Sequence, residues 1–276
     1  MPSLSKSDVL QFREQGFLII RNVYNPTDLL AARSLFQHAF SSAQFHDRRF
    51  DSDTLLTDIY SHFPELAGII FNEKYWAVAK ELLGEQATLI PECAIHRERY
   101  IDWHKDTTVQ EMAGLSSHAG READPILQFA TYFQDNTENG GGLTVIPGSQ
   151  HWPDPFLKWY GEGMWQRIWN KVLKIMGLSV FHRLEKQPGK TDLPIKTGDL
   201  LVFDVRIFHR ATFRKQGMGP EKFAIFNTFI RQTKAGLDYF HFMKKRPEPY
   251  YAYFREKPLP PALVNHYKEL NINILY

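Results

Sequence analysis

The pattern of apolar and polar positions changes character near residue 87. Before that point most apolar residues recur at spacings near 3.6, which is typical of helices that pack on a core. Ser5 and Ser7 can cap a first helix over 9–15, and Gly16 can end it. The apolar run 17–20 then predicts a short buried strand.

Two more helices are predicted before the change. A turn at Asn25 starts one that runs to about residue 40. Asn72 caps another, over 73–83, and a glycine follows it. The stretch 41–65 between them is polar and aromatic without a clear period, so the pattern predicts no element there.

After residue 87 the pattern is typical of strands. The runs are short, rich in β-branched or aromatic residues, and separated by Gly, Pro, Asn and Asp. Several such strands in one block predict a jelly roll or barrel with packing helices in front of it. The predicted strands are 87–90, 93–100, 127–134, 143–146, 200–203 and 223–230.

A helical insertion over 152–188 interrupts the strands. Its apolar residues, several of them Trp, recur at helical spacing on one face. The favoured interpretation is a helix packed on the sheet. The alternative is a lid or a membrane-facing surface over the opening of a site.

Composition narrows the classes of function. The chain has 276 residues, 43% of them apolar, and a formal net charge of +2 with positive and negative residues interspersed. A nucleic-acid partner would call for a clustered basic face, so none is expected. A small-molecule substrate is the favoured partner, and oligomeric state stays open.

The single cysteine and the N-terminal sequence bear on location. Cys93 alone excludes an internal disulfide and a cysteine-based metal site, and it predicts a small buried apolar side chain. The first residues lack a secretion signal, and no apolar run approaches the roughly 20 residues that span a bilayer. We therefore expect a cytoplasmic protein, with peripheral membrane contact left open.

The candidate chemistry lies in a His-x-Asp triplet and one distant histidine. His104 and Asp106 point to the same side of a strand or its end, so they can grip one ion together. His209 follows the apolar strand 200–203 and is the candidate third ligand. Two histidines and one carboxylate on one face of a metal are the arrangement of non-haem Fe(II) oxygenases.

Four motifs in a fixed order make this interpretation specific. The chain is similar to the phytanoyl-CoA dioxygenase family of Fe(II)- and 2-oxoglutarate-dependent oxygenases over most of its length. The matching motifs are Phe12 to Val23, Trp103-His104-Lys105-Asp106, Glu138 to Ser149 with its Asn-Gly and Pro-Gly-Ser turns, and Gly198-Asp199 followed by Phe203 and His209.

The resemblance implies a fold and a reaction. The fold is mainly β with flanking helices, around a double-stranded β-helix of the cupin-like jelly-roll type. We expect one domain over 1–276, with a mainly helical part at 1–86, the core at 87–235 and a C-terminal extension at 236–276. The implied ligands of Fe(II) are His104, Asp106 and His209, with 2-oxoglutarate as cosubstrate and ascorbate as an optional supporting reductant. Hydroxylation of a C–H bond would release succinate and carbon dioxide.

The anchor for the distal carboxylate of 2-oxoglutarate departs from the family pattern. The family usually has an Arg about eleven residues after the second histidine, and this chain has none there. Lys222 matches the position if the preceding loop is two residues longer, and Arg214 is the alternative. A lysine binds a carboxylate as a point charge and lacks the guanidinium fork.

Other residues are candidates for lining the site. Gln128 and Thr131 lie on a predicted core strand and are candidate cosubstrate contacts, although a solvated strand face explains them equally well. His96 could face the iron. Asp199 and Asp204 are expected to be turn and supporting residues. Four arginines could rim the pocket and favour an anionic substrate: Arg97, Arg99, Arg206 and Arg210.

A different class of function competes with the oxygenase. A cupin-like barrel can hold a metal and serve as an isomerase, a hydrolase or a binding module, because a barrel fixes no chemistry by itself. The missing Arg anchor is the best support for that alternative. Binding of 2-oxoglutarate distinguishes the two classes.

Overall fold

The computed structural model describes residues 4–91, 94–114, 124–159, 164–215 and 219–275. Cys93 lies outside these ranges. The strands β1 to β11 are Phe17–Ile20, Leu55–Leu56, Ala87–Ile90, Ile95–Arg97, Leu127–Tyr132, Leu143–Val145, Thr191–Asp192, Leu200–Asp204, His209–Ala211, Phe223–Arg231 and Asn273–Ile274.

The helices flank this sheet structure on the N-terminal, insertion and C-terminal sides. Two short 3₁₀ helices, Ala43–Phe45 and Ser149–His151, accompany them. The α-helices α1 to α13 are Lys6–Gln15, Pro26–Ser41, Ile59–His62, Glu65–Ile70, Glu73–Leu83, Thr108–Met112, Asn136–Asn139, Phe156–Trp159, Met164–Ile175, Val180–Glu185, Lys234–Lys245, Pro249–Glu256 and Pro261–Glu269.

Capping residues set the ends of the first helices as the sequence predicts. Ser5 caps α1: its side chain accepts from the backbone N–H of Asp8, and the Asp8 carboxylate accepts from the backbone N–H of Ser5. Gly16 ends that helix at φ 82°, a left-handed conformation that suits glycine. Asn72 caps α5, whose bounds are those predicted.

Two antiparallel sheets face each other and form the predicted jelly roll. The larger sheet has the order β1-β8-β5-β10-β3-β11, with β4 also pairing with β10 and with β2. The smaller sheet has the order β7-β6-β9. Only the pairing of β11 with β3 is parallel among the described strands.

Side-chain alternation separates the two faces of the larger sheet. On β5, Ala130 and Tyr132 face the smaller sheet, where they pack with Leu143 and Val145. Leu127 and Phe129 face the opposite way, onto the helices of the N-terminal part. The interior between the sheets is therefore distinct from the helix-covered core.

Two regions contain more structure than the pattern predicts. The stretch 41–65 holds β2, α3 and the start of α4, each too short for a hydrophobic period to be visible. The tail forms α11, α12 and α13, two of which begin with Pro in the first turn. Among the described residues, no helix combines the length and apolarity needed to cross a membrane.

The helical insertion is built differently from the favoured expectation. Its short outer helices α8 and α10 bury Phe156, Val180 and Leu184 against Trp103. The central helix α9 instead leaves apolar side chains such as Trp169 and Ile175 exposed. For the described side chains of α9, from position 168 on, the favoured packing on the sheet is therefore wrong, and the buried contacts of the insertion lie on either side of the helix.

Candidate active site

A backbone bridge between two distant segments brings His104 and His209 together. The N–H of each residue donates to the carbonyl of the other at 3.0 Å, although 105 positions separate them in sequence. His209 is the first residue of β9, and His104 lies in the loop after β4. The two imidazole centroids are 4.2 Å apart.

Asp106 completes a compact set of three donor groups. Its backbone N–H donates to the Val205 carbonyl at 3.0 Å, which fixes it beside the strand that leads to His209. Its Oδ1 lies 3.3 Å from His104 Nε2 and 3.7 Å from His209 Nε2. Metal–ligand bonds of about 2.0–2.2 Å at right angles would place donor atoms about 3 Å apart, so one ion fits here.

Carbonyl groups hold both imidazoles in one orientation. The Nδ1–H of His104 donates to the Asp102 carbonyl at 2.7 Å. The Nδ1–H of His209 donates to the Ile207 carbonyl at 3.1 Å. Each bond spans two residues and leaves Nε2 unprotonated toward Asp106, as metal-binding histidines require.

The charges of the three groups are coupled. Burial lowers the pKa of His209 to about 4, and the charge of His104 lowers it further. Burial also lowers the pKa of His104, but the hydrogen bond and charge of Asp106 raise it above its ordinary value. Burial raises the pKa of Asp106, yet the two imidazoles hold it below its usual range. The carboxylate of Asp106 therefore favours a positive charge beside it, which a bound cation would supply in place of a proton on His104.

Trp103 and the turn before His209 support the ligands from behind. Trp103 is buried, and its indole N–H donates to Glu185 at the end of α10 at 2.9 Å. Asp204 accepts from the backbone and guanidinium of Arg206 at 2.9 Å. Asp204 thus supports the turn as expected, whereas Arg206 is buried in that ion pair and does not rim the pocket.

The three donor groups line a cavity of about 610 Å³. Its walls come from the loop 48–55, the inner faces of the sheets, and the start of the C-terminal extension. Lining residues from the extension, which carried no motif in the sequence, are Tyr239, Met243, Arg246, Glu248, Pro249, Tyr250 and Tyr251.

Lys222 lies in the cavity wall immediately before β10. It is 3% exposed, and its Nζ donates to the Arg99 carbonyl at 3.0 Å and lies 4.7 Å from the Tyr100 ring centroid. Burial lowers its pKa to about 8, against the opposing charge of Glu98. Gly141 lies against the lysine stem at φ 79°, a backbone conformation that favours glycine.

Arg214, the alternative anchor, lies apart from the cavity lining. Its guanidinium is 3.4 Å from Glu98 Oε1 and 3.5 Å from the Gly219 carbonyl. Glu98 in turn accepts from the backbone N–H of Lys222 at 2.7 Å. Arg214 therefore lies outside the cavity and pairs with Glu98, the residue that also binds the backbone of Lys222.

The two candidate cosubstrate residues of β5 point in opposite directions. Gln128 lines the cavity and accepts from Thr228 on β10 at 2.7 Å. Thr131 is buried on the helix side, where its hydroxyl bonds Tyr24 at 2.9 Å. The expectation for Thr131 fails because residues three apart on a strand face opposite sides.

Gln128 is also far from Lys222. Its partner Thr228 follows Lys222 by six positions along β10, which corresponds to about 20 Å. A five-carbon acid is much shorter than that. Gln128 therefore faces another part of the cavity than the lysine does.

Some of the remaining candidate residues line the cavity and others lie outside it. His96 lines the cavity against Phe226, and burial lowers its pKa to about 3, so it is a neutral group. Arg99 also lines the cavity. Arg97 instead pairs with Glu221 at 2.5 Å outside it. Arg210 pairs with Glu185 at 3.2 Å, also away from the lining.

Comparison with known proteins gives a family and a fold. The profile of the phytanoyl-CoA dioxygenase (PhyH) family matches residues 12–213, more than two thirds of the chain. No curated protein matches.

Solved structures agree with the fold. EctD from S. alaskensis with 2-oxoglutarate and 5-hydroxyectoine is similar at a TM-score of 0.57 and 17% identity, over 82% of this chain and 76% of that one. HygX from Streptomyces hygroscopicus with nickel and 2-oxoglutarate gives 0.57 and 17%, over 82% and 87%. AviO1 from Streptomyces viridochromogenes Tue57 gives 0.54 and 15%, over 84% and 98%.

Proposed function

This chain belongs to the phytanoyl-CoA dioxygenase family, and we propose that it hydroxylates a C–H bond of a small molecule, with succinate and carbon dioxide as coproducts. Membership confirms the enzyme class expected from the sequence, a non-haem iron dioxygenase that uses Fe(II) and 2-oxoglutarate. The proposal adds the residues and the kind of substrate.

His104, Asp106 and His209 would hold the iron. The observation that carries this assignment is that their three donor atoms lie within 4.8 Å of one another, on one side of a cavity. Iron bound there, with oxygen and 2-oxoglutarate, supplies the oxidant for a C–H bond. One carboxylate and two neutral imidazoles leave positions open for both cosubstrates.

Lys222 would bind the distal carboxylate of 2-oxoglutarate. Its ammonium group is buried in the cavity wall, where a carboxylate gains more from a charge than it would in water. Gln128 and Phe226 would then face the substrate, because they lie further along the sheet. This assignment replaces the expected role of Gln128 as a cosubstrate contact.

Arg99 favours a substrate with an anionic group. Its guanidinium lines the cavity and lies 5.8 Å from the Tyr250 ring centroid. No carboxylate among the described residues pairs with it. Arg246 also lines the cavity, but Glu248 already neutralises it at 3.1 Å. An acid on an apolar or aromatic body fits these walls, which include Phe203 and Tyr250.

A spectroscopic titration tests the proposal. Anaerobic Fe(II) and 2-oxoglutarate should give the weak visible charge-transfer band of the chelate, and admitted air should then yield succinate. His104→Ala and Asp106→Ala should abolish both signals, while His241→Ala, at an exposed position on α11, should leave them unchanged. Iron binding without any response to the oxo-acid would instead support a cupin-like protein of another class.

A further inference from the structure

The central helix of the insertion presents an apolar face outward. On α9 four large apolar side chains after position 167 are exposed, including Trp169 at 57% and Ile175 at 86%, whereas Leu173 is half-buried. Ile168, Val172 and Ile175 are spaced by four and three residues, so they lie on one helical face. Met176 and Leu178 extend this exposed surface past the end of the helix.

The insertion is held in place around this helix. Phe156 before it and Val180 and Leu184 after it are buried in one cluster with Trp103. The side chain of Asn170, on the same helix, donates to the Trp159 carbonyl at the end of α8. The exposed face is therefore a feature of an anchored helix.

The polar residues beside the apolar face are cationic. Lys171 and Lys174 are exposed on α9, and Arg183 and Lys186 are exposed just after it. No acidic residue lies between positions 164 and 184. Glu185 lies between Arg183 and Lys186 and pairs with Lys190 and Arg210. The exposed face of α9 itself therefore combines aliphatic and Trp side chains with the positive charges of Lys171 and Lys174.

We propose that α9 docks the protein onto an anionic lipid bilayer. A helix with Lys on its polar face and Trp, Ile and Val on the other lies in the membrane interface, with its apolar side among the acyl chains. Trp169 suits the headgroup level, where its ring is favoured. Lys171 and Lys174 would meet the phosphates of anionic lipids.

The docking helix is connected to the cavity mouth. Helix α8, which receives the bond from Asn170, packs on α6. Val109 on α6 lines the cavity and is itself exposed, as is Ile101 on the adjoining loop. Exposed apolar side chains of the cavity lining therefore lie on and beside α6, the helix that the insertion contacts. This arrangement suits entry of an amphiphile from the bilayer.

A second copy of the chain is the competing occupant. In a two-fold contact the same surface lies on both partners, so Lys171 and Lys174 of one copy would approach those of the other. Like charges in such a contact are unfavourable. A bilayer with anionic headgroups supplies the opposite charge, and the charge pattern therefore favours the lipid.

Vesicle flotation tests the docking surface without any need for iron or substrate. The probes are vesicles of pure phosphatidylcholine and of phosphatidylcholine mixed two to one with phosphatidylglycerol. The wild-type chain should float with the mixed vesicles, and less so at high salt. Ile168→Asp with Val172→Asp should lower the partition coefficient at least about tenfold. Lys171→Gln with Lys174→Gln should lower it about 25-fold on the mixed vesicles.

The matched control is Leu30→Asp, since Leu30 is an apolar residue on α2 that is more exposed than Ile168 and Val172. It should float like the wild type, and circular dichroism should show that all variants fold. Absence of wild-type flotation with either vesicle would overturn the proposal, as would unchanged flotation of Ile168→Asp with Val172→Asp. A lipid-free dimer that this double variant converts to a monomer would overturn it in favour of self-association.

Discussion

Lys222 is a buried ammonium group at a position where this family usually has a guanidinium. The difference has a consequence for pH, because an arginine stays charged and a buried lysine does not. Burial lowers the pKa of Lys222 to about 8, while the charge of Glu98 opposes that shift. Tyr100, Arg214 and His96 are among the other titratable or charged groups around Lys222.

Binding of 2-oxoglutarate should therefore weaken in mild alkali. Below about pH 8 Lys222 is protonated and the dissociation constant should be constant; above that pH it should rise about tenfold per unit, because the carboxylate must recruit a proton. Titration of the charge-transfer band from pH 7 to 9 measures this. Lys222→Arg should remove the dependence, and Arg214→Ala should keep it. A flat profile in the wild type would contradict Lys222 as the anchor.

Arg99 gives a second prediction for a single side chain. Arg99→Gln should reduce kcat/KM for an acidic substrate about tenfold or more, since a charge-assisted bond contributes about 1.5–3 kcal/mol. The neutral amide of the same compound should be affected far less. Succinate release from paired acids and amides measures the difference. Arg97→Gln, two residues earlier and outside the cavity, is the control, and equal losses for both compounds would refute the role.

Single residues were predictable where a motif or a spacing named them. His104, Asp106 and His209 followed from the triplet and the distant strand, and the structure brings them together. Thr131 was wrongly expected to contact the cosubstrate, because the sequence does not show which of the two faces of β5 lines the cavity. Arg246 carried no motif, and only the folded tail brings it to the cavity.

The turn over 204–209 is the element that positions the ligands. Its carbonyls at Val205 and Ile207 accept from Asp106 and His209, and the Asp204–Arg206 pair closes it. Both side chains of that pair are nearly inaccessible, at 3% and 6% exposure. Loss of one partner would leave the other as an unpaired buried charge.

Arg206→Met should thus destabilise the fold by about 3–5 kcal/mol. It should also weaken iron binding about 10–100-fold, because the carbonyls that orient the ligands would shift. Urea unfolding and a competitive iron titration measure the two effects. Arg97→Met removes a half-exposed pair and should cost at most about 1 kcal/mol with iron affinity unchanged. Normal iron affinity in Arg206→Met would contradict the role of the turn.

Elements with caps and a full hydrophobic period were predicted closely. Helix α5 has the expected bounds, and β10 runs one residue past its predicted end. The short helices of 41–65 were missed because four to six residues show no period. Helix α9 lies within the predicted helical insertion, but its described side chains do not show the favoured packing on the sheet, since an amphipathic pattern does not say what covers its apolar face.

At the scale of the whole molecule, the C-terminal extension completes the cavity. The family profile ends at residue 213, yet Met243, Arg246 and Tyr250 line the cavity. Contacts of such long sequence separation leave no local pattern, so the sequence predicted a C-terminal extension without placing it at the cavity. A single domain over 1–276 stays a prediction, and the shared cavity is the feature that favours it.

Because the extension and Lys222 lie at different parts of the cavity, a change in the extension should affect the substrate and 2-oxoglutarate differently. The Tyr250 ring lies 3.9 Å from that of Tyr251 between centroids, and it lies beside Arg99. Lys222 lies just before β10, and the opposite end of β10 contacts the C-terminal extension. Tyr250→Ala should weaken substrate binding about tenfold or more through lost apolar burial. The affinity for 2-oxoglutarate should not change, and Tyr250→Phe should bind both molecules normally. Parallel titrations of the oxo-acid and a turned-over substrate measure this. Equal loss of both affinities in Tyr250→Ala would mean that the extension supports the whole site and does not select the substrate.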